Sequence, residues 1–209
     1  MNMKLLTEQF DFEYDKDALN EQIESGGKFL MKGILQKANT LNQNGRVYPR
    51  DVLTREVKNY QGFIREGRAL GELDHPDTSV VELKNVSHII REAYMDGDVC
   101  FGTLEVLDTP NGNILKSLVK SGVKIGISSR GVGSTRTVEG HQQVQDDFQL
   151  ICWDIVSEPS TPGAFIMKEG RDLSDEEIRQ VQEFFGKDMR VERALNKILE
   201  WNEETEKCL

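Results

Sequence analysis

The sequence predicts an α+β fold built around a mostly antiparallel sheet or barrel, and three features of its 209 residues carry that expectation. Apolar or alternating runs recur from Lys28 to Val156, as buried and half-buried strands do. Turn signals rich in Gly, Pro and Asn punctuate them. Only two stretches among them, Arg50–Glu66 and Asn113–Ser121, space apolar residues at helical intervals.

Composition narrows the classes of function. The chain is long enough for one cored domain with appendages. Its 37% hydrophobic and 30% charged residues suit a soluble globular protein. A formal charge of −10 argues against a general nucleic-acid binder, whose phosphate contacts need a basic face, and against an anionic membrane surface. No apolar run approaches a bilayer span and no apolar core of a signal peptide opens the chain, so it is expected to stay where it is made. Cys100, Cys152 and Cys208 are odd in number and scattered, as reduced thiols are. No two of them, nor of His75, His88 and His141, stand at ligand spacing, so neither a metal nor a cofactor is expected.

Taken in order, Met1–Gly27 is acidic around FDFEYDKD and shows no sustained period, which predicts a mobile or loosely docked arm. Lys28–Gln36 is the first core strand, and Asn39–Pro49 a turn-rich stretch with an Asn44-Gly45 signal. Arg50–Glu66 forms a helix whose stripe is Val52, Leu53, Val57, Tyr60 and Ile64. Ala69–Leu73 is a short strand stopped by Asp74-His75-Pro76-Asp77. Val86–Tyr94 and Val99–Val106 pair around a Met95–Asp98 turn, and Thr109–Gly112 punctuates before the second helix at Asn113–Ser121. Lys124–Ile127 alternates as a strand that breaks at Ser128–Ser129 into a glycine turn. Gly140–Asp147 reads as a polar loop, Phe148–Val156 as a buried strand, and Ser157–Gly163 closes the compact part. Beyond it, Ser174 and Glu177 form a capping box for a helix through Phe185. A second helix over Met189–Thr205 carries Val191, Leu195 and Ile198 on one face, suited to docking on a partner or to a homo-oligomer.

The chemistry concentrates in Lys124–Ser134, KIGISSRGVGS. A hydroxyl at a strand end, backed by the amides of a glycine turn, is what acyl transfer needs, although a solvated Ser/Gly loop has the same composition. The nucleophile elbow requires glycine two residues either side of its serine. Ser128 has Gly126 but Arg130, and Ser129 has Gly131 but Ile127, so an ordinary α/β-hydrolase is disfavoured. Of the candidate bases, His141 lies in a polar loop and His88 in NVSHIIREA, where a structural role suits it. His75 ends a strand and is restricted by Pro76. An orienting carboxylate is the third requirement. Asp154 interrupts the apolar FQLICWDIV, where a charge is costly without a partner, and Asp74, Asp77 and Asp147 compete with it.

GELDHP at Gly71–Pro76 and GISSRGVGS at Gly126–Ser134 resemble the two motifs of the prohead (capsid maturation) serine proteases of T-even-type tailed phages. NGRVYPRDVL at Asn44–Leu53 and DIVSEPSTPGAF at Asp154–Phe165 are similar to that family too, so the resemblance spans about Lys28–Ile166. It implies a β-barrel ringed by helices, as in the herpesvirus assemblins, over a protease domain at 28–168 flanked by the arm (1–27) and a helical extension (169–209). It implies Ser128 as nucleophile, His75 as its base and Asp154 as the orienting acid, with His88 as fallback because the herpesvirus relatives use a second histidine. Backbone N–H groups of the Ser129-Arg130-Gly131 turn are the expected oxyanion hole. The resemblance further implies cleavage after Glu preceded two positions earlier by a large aliphatic residue, with Arg130 or Arg136 supplying the cation. LTEQ (Leu6–Gln9), LNEQ (Leu19–Gln22) and IREA (Ile90–Ala93) then become candidate self-cleavage sites, and a cut at either of the first two, which lie in the arm, is expected to remove an inhibitory segment. Scaffold core and major capsid proteins are the implied substrates, inside the prohead in the host cytoplasm. A non-catalytic capsid-assembly protein with a protease-like fold is the rival reading, and a small-ester hydrolase a third.

Overall fold

Strand-forming runs dominate the folded chain as its composition demands. A computed structural model describes residues 3–12, 27–42, 44–76, 78–157 and 179. The expected Ser157–Gly163 closing loop (Ser157 apart) and the two C-terminal helices lie outside these residues, except Arg179, which is helical. The chain divides into two units, Met1–Asp172 and Leu173–Leu209, and everything below concerns the first.

Its elements are β1 (Lys4–Asp11), β2 (Leu30–Lys37), β3 (Arg46–Val47), α1 (Arg50–Arg65), β4 (Leu70–Glu72), β5 (Val86–Asp96), β6 (Val99–Val106), α2 (Pro110–Lys120), β7 (Ile125–Gly133), β8 (Thr135–Val138), β9 (His141–Val144) and β10 (Gln149–Ser157). The α1 stripe buries Val52, Leu53, Val57 and Tyr60 against β5 and β10. α2 starts three residues before the expected Asn113, because the punctuating Thr109 and Pro110 are its N-terminus. The Thr109 hydroxyl accepts from the Gly112 N–H at 3.0 Å, and Pro110 fills the first turn, where no N–H is needed.

Three sheets result, ordered β1-β7-β10, β2-β6-β5-β4 and β3-β9-β8. Every ladder is antiparallel except β3 with β9. The class is therefore α+β with mostly antiparallel strands, as expected, but the barrel is not closed among the described residues. A lone parallel bridge, Leu73 to Ile155, joins β4 to β10, reinforced by the Asp74 N–H donating to the Ile155 carbonyl at 2.7 Å. No ladder joins β1 to β2 at the other seam. There a side-chain bond, Gln36 Nε2 to Glu8 Oε2 at 2.8 Å, spans the gap. The ring of helices reduces to two, α1 and α2, among the described residues of the first unit.

Three expectations about elements are corrected. Residues 4–11 are not a loose arm: they form β1, whose Leu5, Leu6, Thr7 and Glu8 are all buried. The strand opened by Ile125 does not break at Ser128 but runs to Gly133, buried at every position. Its glycines serve close packing rather than turning, since a Cβ on Gly131 would lie 2.4 Å from the Phe148 ring and one on Gly133 2.9 Å from the Phe148 Cα. Half of the supposed Gly140–Asp147 loop is β9, turned back on β8 by Glu139 (φ 49°) and Gly140 (φ 85°).

The core gathers Trp153, Tyr60, Tyr48, Phe148 and the aliphatic faces of β2, β5, β6 and β7. Tyr60 meets Trp153 edge-on at 4.8 Å and Tyr48 meets Phe148 at 5.2 Å.

Candidate active site

A strand's side chains alternate between faces, so the pairing of β7 with β10 decides which groups meet. Ser128 lies directly opposite Asp154, and Arg130 opposite Cys152. These four share one face. The intervening Ile127, Ser129, Trp153 and Ile155 take the other, where Ile127, Trp153 and Ile155 join the core. A one-residue bulge at Ile151 sets this register, between Leu150 (opposite Gly131) and Cys152 (opposite Arg130). Without it, Trp153 and not Asp154 would face Ser128.

His75 arrives from β4. The Leu73–Ile155 bridge pins that strand's end beside β10, and Asp74, in a left-handed conformation (φ 63°), turns the chain so that His75 faces the pair. The three side chains form one hydrogen-bonded line. Ser128 Oγ is 2.5 Å from His75 Nε2, and His75 Nδ1 is 2.8 Å from Asp154 Oδ2. With a carboxylate on Nδ1, that nitrogen carries the proton and Nε2 is left to accept from the hydroxyl. Ser128 and Asp154 are buried, while His75 keeps about a quarter of its side chain exposed, which leaves an approach to the line from solvent.

Residues 14–176 match the model of the prohead core protein serine protease family. The chain belongs to that family. It is 34% identical over 141 residues to the prohead core protein protease of Enterobacteria phage T4, an overlap of 65% of this chain and 66% of the T4 protein, just under two thirds of that relative's length. It is also similar to the solved structure of the bacteriophage T4 capsid assembly protease, with a TM-score of 0.65 and 27% identity over 75% of this chain and 99% of that one.

Behind the line, this family member buries an unusual set of charges. Arg130, Glu72 and Asp154 are all fully buried. The Arg130 guanidinium binds Glu72 Oε2 through Nη2. Its Nε lies 2.9 Å from Asp154 Oδ2, an ion-pair contact too bent to count as a hydrogen bond, and Nη2 reaches Oδ1 at 3.3 Å. Nη1 donates to the Thr78 carbonyl at 2.8 Å. The Glu72 N–H donates to Asp154 Oδ1 at 2.9 Å, and Glu72 Oε1 accepts from the Glu82 N–H at 2.9 Å. Burial drives both carboxyls upward, but the outcomes differ. Arg130, His75 and the Glu72 N–H outweigh it at Asp154 and hold that group below the usual carboxylate range. At Glu72 burial wins over Arg130, and the pKa is raised. Of two acids sharing one cation, only Asp154 is held below its ordinary range.

Several expected roles change with this geometry. Arg130 is sealed and bound to two carboxylates, so it is not a cation for a substrate glutamate; Arg136 is exposed on β8. Ser129, Arg130 and Gly131 occupy a middle strand with ladders on both sides, so the glycine turn on which the oxyanion expectation rested is absent. His88 is engaged elsewhere: it accepts from the Ser87 hydroxyl at Nδ1 (2.9 Å) and donates from Nε2 to the Trp153 carbonyl (3.0 Å). Burial pulls it down to about 4 against the opposing pull of Asp154, so the ring is neutral and structural. Among the rival acids, Asp147 accepts from the Ser134 N–H, Asp74 is exposed at the turn, and Asp77 lies outside the described residues. Glu72 was missed by the sequence argument. It carries the signal that marked Asp154, a carboxylate in an apolar strand.

Proposed function

We propose that this chain is a serine endopeptidase that works through an acyl-enzyme, with Ser128 as nucleophile, His75 as general base and then acid, and Asp154 as the group that orients the imidazole. The observation that carries the reading is the continuous line from Ser128 Oγ through both ring nitrogens of His75 to a buried, charged Asp154. Such a line favours turnover over a non-catalytic docking role, for which nothing requires a carboxylate to be kept ionised in the interior. Ser128 Oγ adds to the scissile carbonyl carbon as its proton passes to His75 Nε2. The tetrahedral adduct collapses, His75 returns that proton to the departing amine nitrogen, and the acyl group stays on Ser128 as an ester. Water, deprotonated by His75, then cleaves the ester and restores the serine.

Family membership and the names of the two T4 relatives support scaffold and capsid proteins as substrates, acting inside the prohead during capsid maturation. We place the cut after Glu in (Leu/Ile)-x-Glu sequences, with Arg136 as the cation that meets the glutamate. Self-processing is assigned to Leu19–Gln22. That segment lies outside the described residues; the other two candidates are held in the sheet, Leu6–Gln9 in β1 with Glu8 buried and Ile90–Ala93 in β5 with Ile90 buried. The test is incubation of the purified protein with a Leu-x-Glu peptide, followed by mass spectrometry of both peptide and protein. Wild type should release the fragment ending in Glu and Ser128→Ala should release none. Equal cleavage by both, or by neither, overturns the reading.

A further inference from the structure

Arg130 is the residue whose expected role fits its surroundings least. A fully buried guanidinium two positions from the serine touches no solvent, yet it reaches both oxygens of Asp154, the Glu72 carboxylate and the carbonyl of Thr78 on the loop that follows His75. Each partner belongs to a different part of the site. Arg130 springs from the serine strand, Asp154 from the neighbouring strand, Glu72 from the strand that delivers His75, and Thr78 from the segment beyond it. We propose that Arg130 and Glu72 are a positioning pair for the catalytic line: Arg130 fixes the Asp154 carboxylate in the orientation that directs His75, and Glu72 holds the guanidinium in place from the opposite side. This rests on the triad reading above.

The geometry explains why two groups are needed. Asp154 Oδ2 must face His75, and a carboxylate rotates freely about its last bond unless both oxygens are held. Oδ1 is held by the Glu72 N–H at 2.9 Å, and the guanidinium bridges both oxygens. The guanidinium is a rigid fork, so its own orientation must be fixed; Glu72 Oε2 does that at Nη2 and the Thr78 carbonyl at Nη1. Glu72 is itself anchored by the Glu82 N–H, so the segment between His75 and Glu82 is drawn to the same cluster.

The test uses the full chain carrying Arg130→Met with Glu72→Gln, which removes the cation and its counter-anion together, and reads the low-field Nδ1–H resonance of His75 by proton NMR. The resonance should be present in wild type and lost in the double variant. On a Leu-x-Glu peptide, kcat should fall about a hundredfold with KM within about twofold, the mark of misplaced reacting groups rather than lost binding. A folded double variant that keeps the resonance and the wild-type kcat overturns the proposal, as does a wild-type protein lacking the resonance. If the resonance behaves as expected but wild type cleaves nothing, the protease reading fails and the positioning pair stands. Should the double variant not fold, Arg130→Lys decides, since an ammonium offers a point charge in place of the fork. A kcat per folded molecule lowered about tenfold with KM unchanged supports the pair, and an unchanged kcat overturns it.

Discussion

At the scale of single residues, the site turns on which of two adjacent serines faces the polar side of β7. The register puts Ser128 there and turns Ser129 to the core, where its hydroxyl is buried without a partner among the described residues. An unpaired buried hydroxyl costs stability, so Ser129→Ala should raise the unfolding free energy by about 1 kcal/mol while leaving peptide cleavage within about twofold of wild type. Urea titration and a cleavage assay measure both, and loss of activity would reverse the assignment of the pair. His88 supports a second prediction. Its folded pKa near 4 lies below the unfolded value near 6.5, so between those pH values the unfolded chain binds the extra proton. Stability should be flat with respect to this group above about pH 6.5 and fall by at most about 3 kcal/mol as pH drops to about 4. His88→Gln retains a donor for the Trp153 carbonyl but cannot titrate, and its unfolding free energy should lack that slope. Asp154 was legible at this scale because a charge inside an apolar run demands a partner. His75 was legible as one partner, but the cation Arg130 was not, since it sits in a run rich in serine and glycine that mimics a loop.

At the scale of elements, the sequence announced those whose two faces differ. α1 shows a stripe because one side meets solvent, and β5 and β6 bracket a glycine turn at Gly97 (φ 58°). β7 has no exposed face, so it lacks alternation, and its glycines pass for a turn although they make room for Phe148. The β8–β9 hairpin failed for the opposite reason: its residues are short, polar and mostly unburied. Least legible was the bulge at Ile151, on which the whole site register depends. It is held by α1. Buried Glu56 accepts from the Leu150 N–H at 3.0 Å, and Arg55 donates to the Phe148 carbonyl at 3.0 Å. Glu56→Ala would strand that N–H in the interior and should cost about 1–3 kcal/mol. Because the same change loosens the register that sets Asp154 against Ser128, kcat on a Leu-x-Glu peptide should fall at least about tenfold. Glu56→Gln keeps an acceptor and should recover most of both. Denaturation and kinetics on the two variants check this, and equal behaviour of Ala and Gln would show that the bulge does not need the clasp.

At the scale of the whole first unit, β1 decides whether the serine strand is an edge or an interior strand. It pairs with β7 from Lys4 opposite Gly133 to Asp11 opposite Gly126, and its backbone at Gln9 lies against Ser128. The other side of β1 is tied by side chains: Asn44 Nδ2 and Arg46 Nη1 both donate to the Thr7 carbonyl, at 3.0 and 2.8 Å, and Gln36 binds Glu8. The acidic run FDFEYDKD concealed this strand, because Leu5 and Leu6 are adjacent apolar residues buried on opposite faces and give no period. The consequence is measurable through Leu6, which is 1% exposed in the main core. Leu6→Ala should destabilise by about 2–4 kcal/mol, as large-to-small changes in a packed interior do. It should also speed hydrogen exchange of the β7 amides, since an edge strand opens more readily than one with a neighbour on each side. A segment merely resting on the surface would leave the urea midpoint and the β7 exchange rates unchanged, and that result would return residues 4–11 to the status of an arm. If both shift together, stripping β1 would unpair the strand that carries Ser128, so a cut after Glu8 would end activity rather than release it.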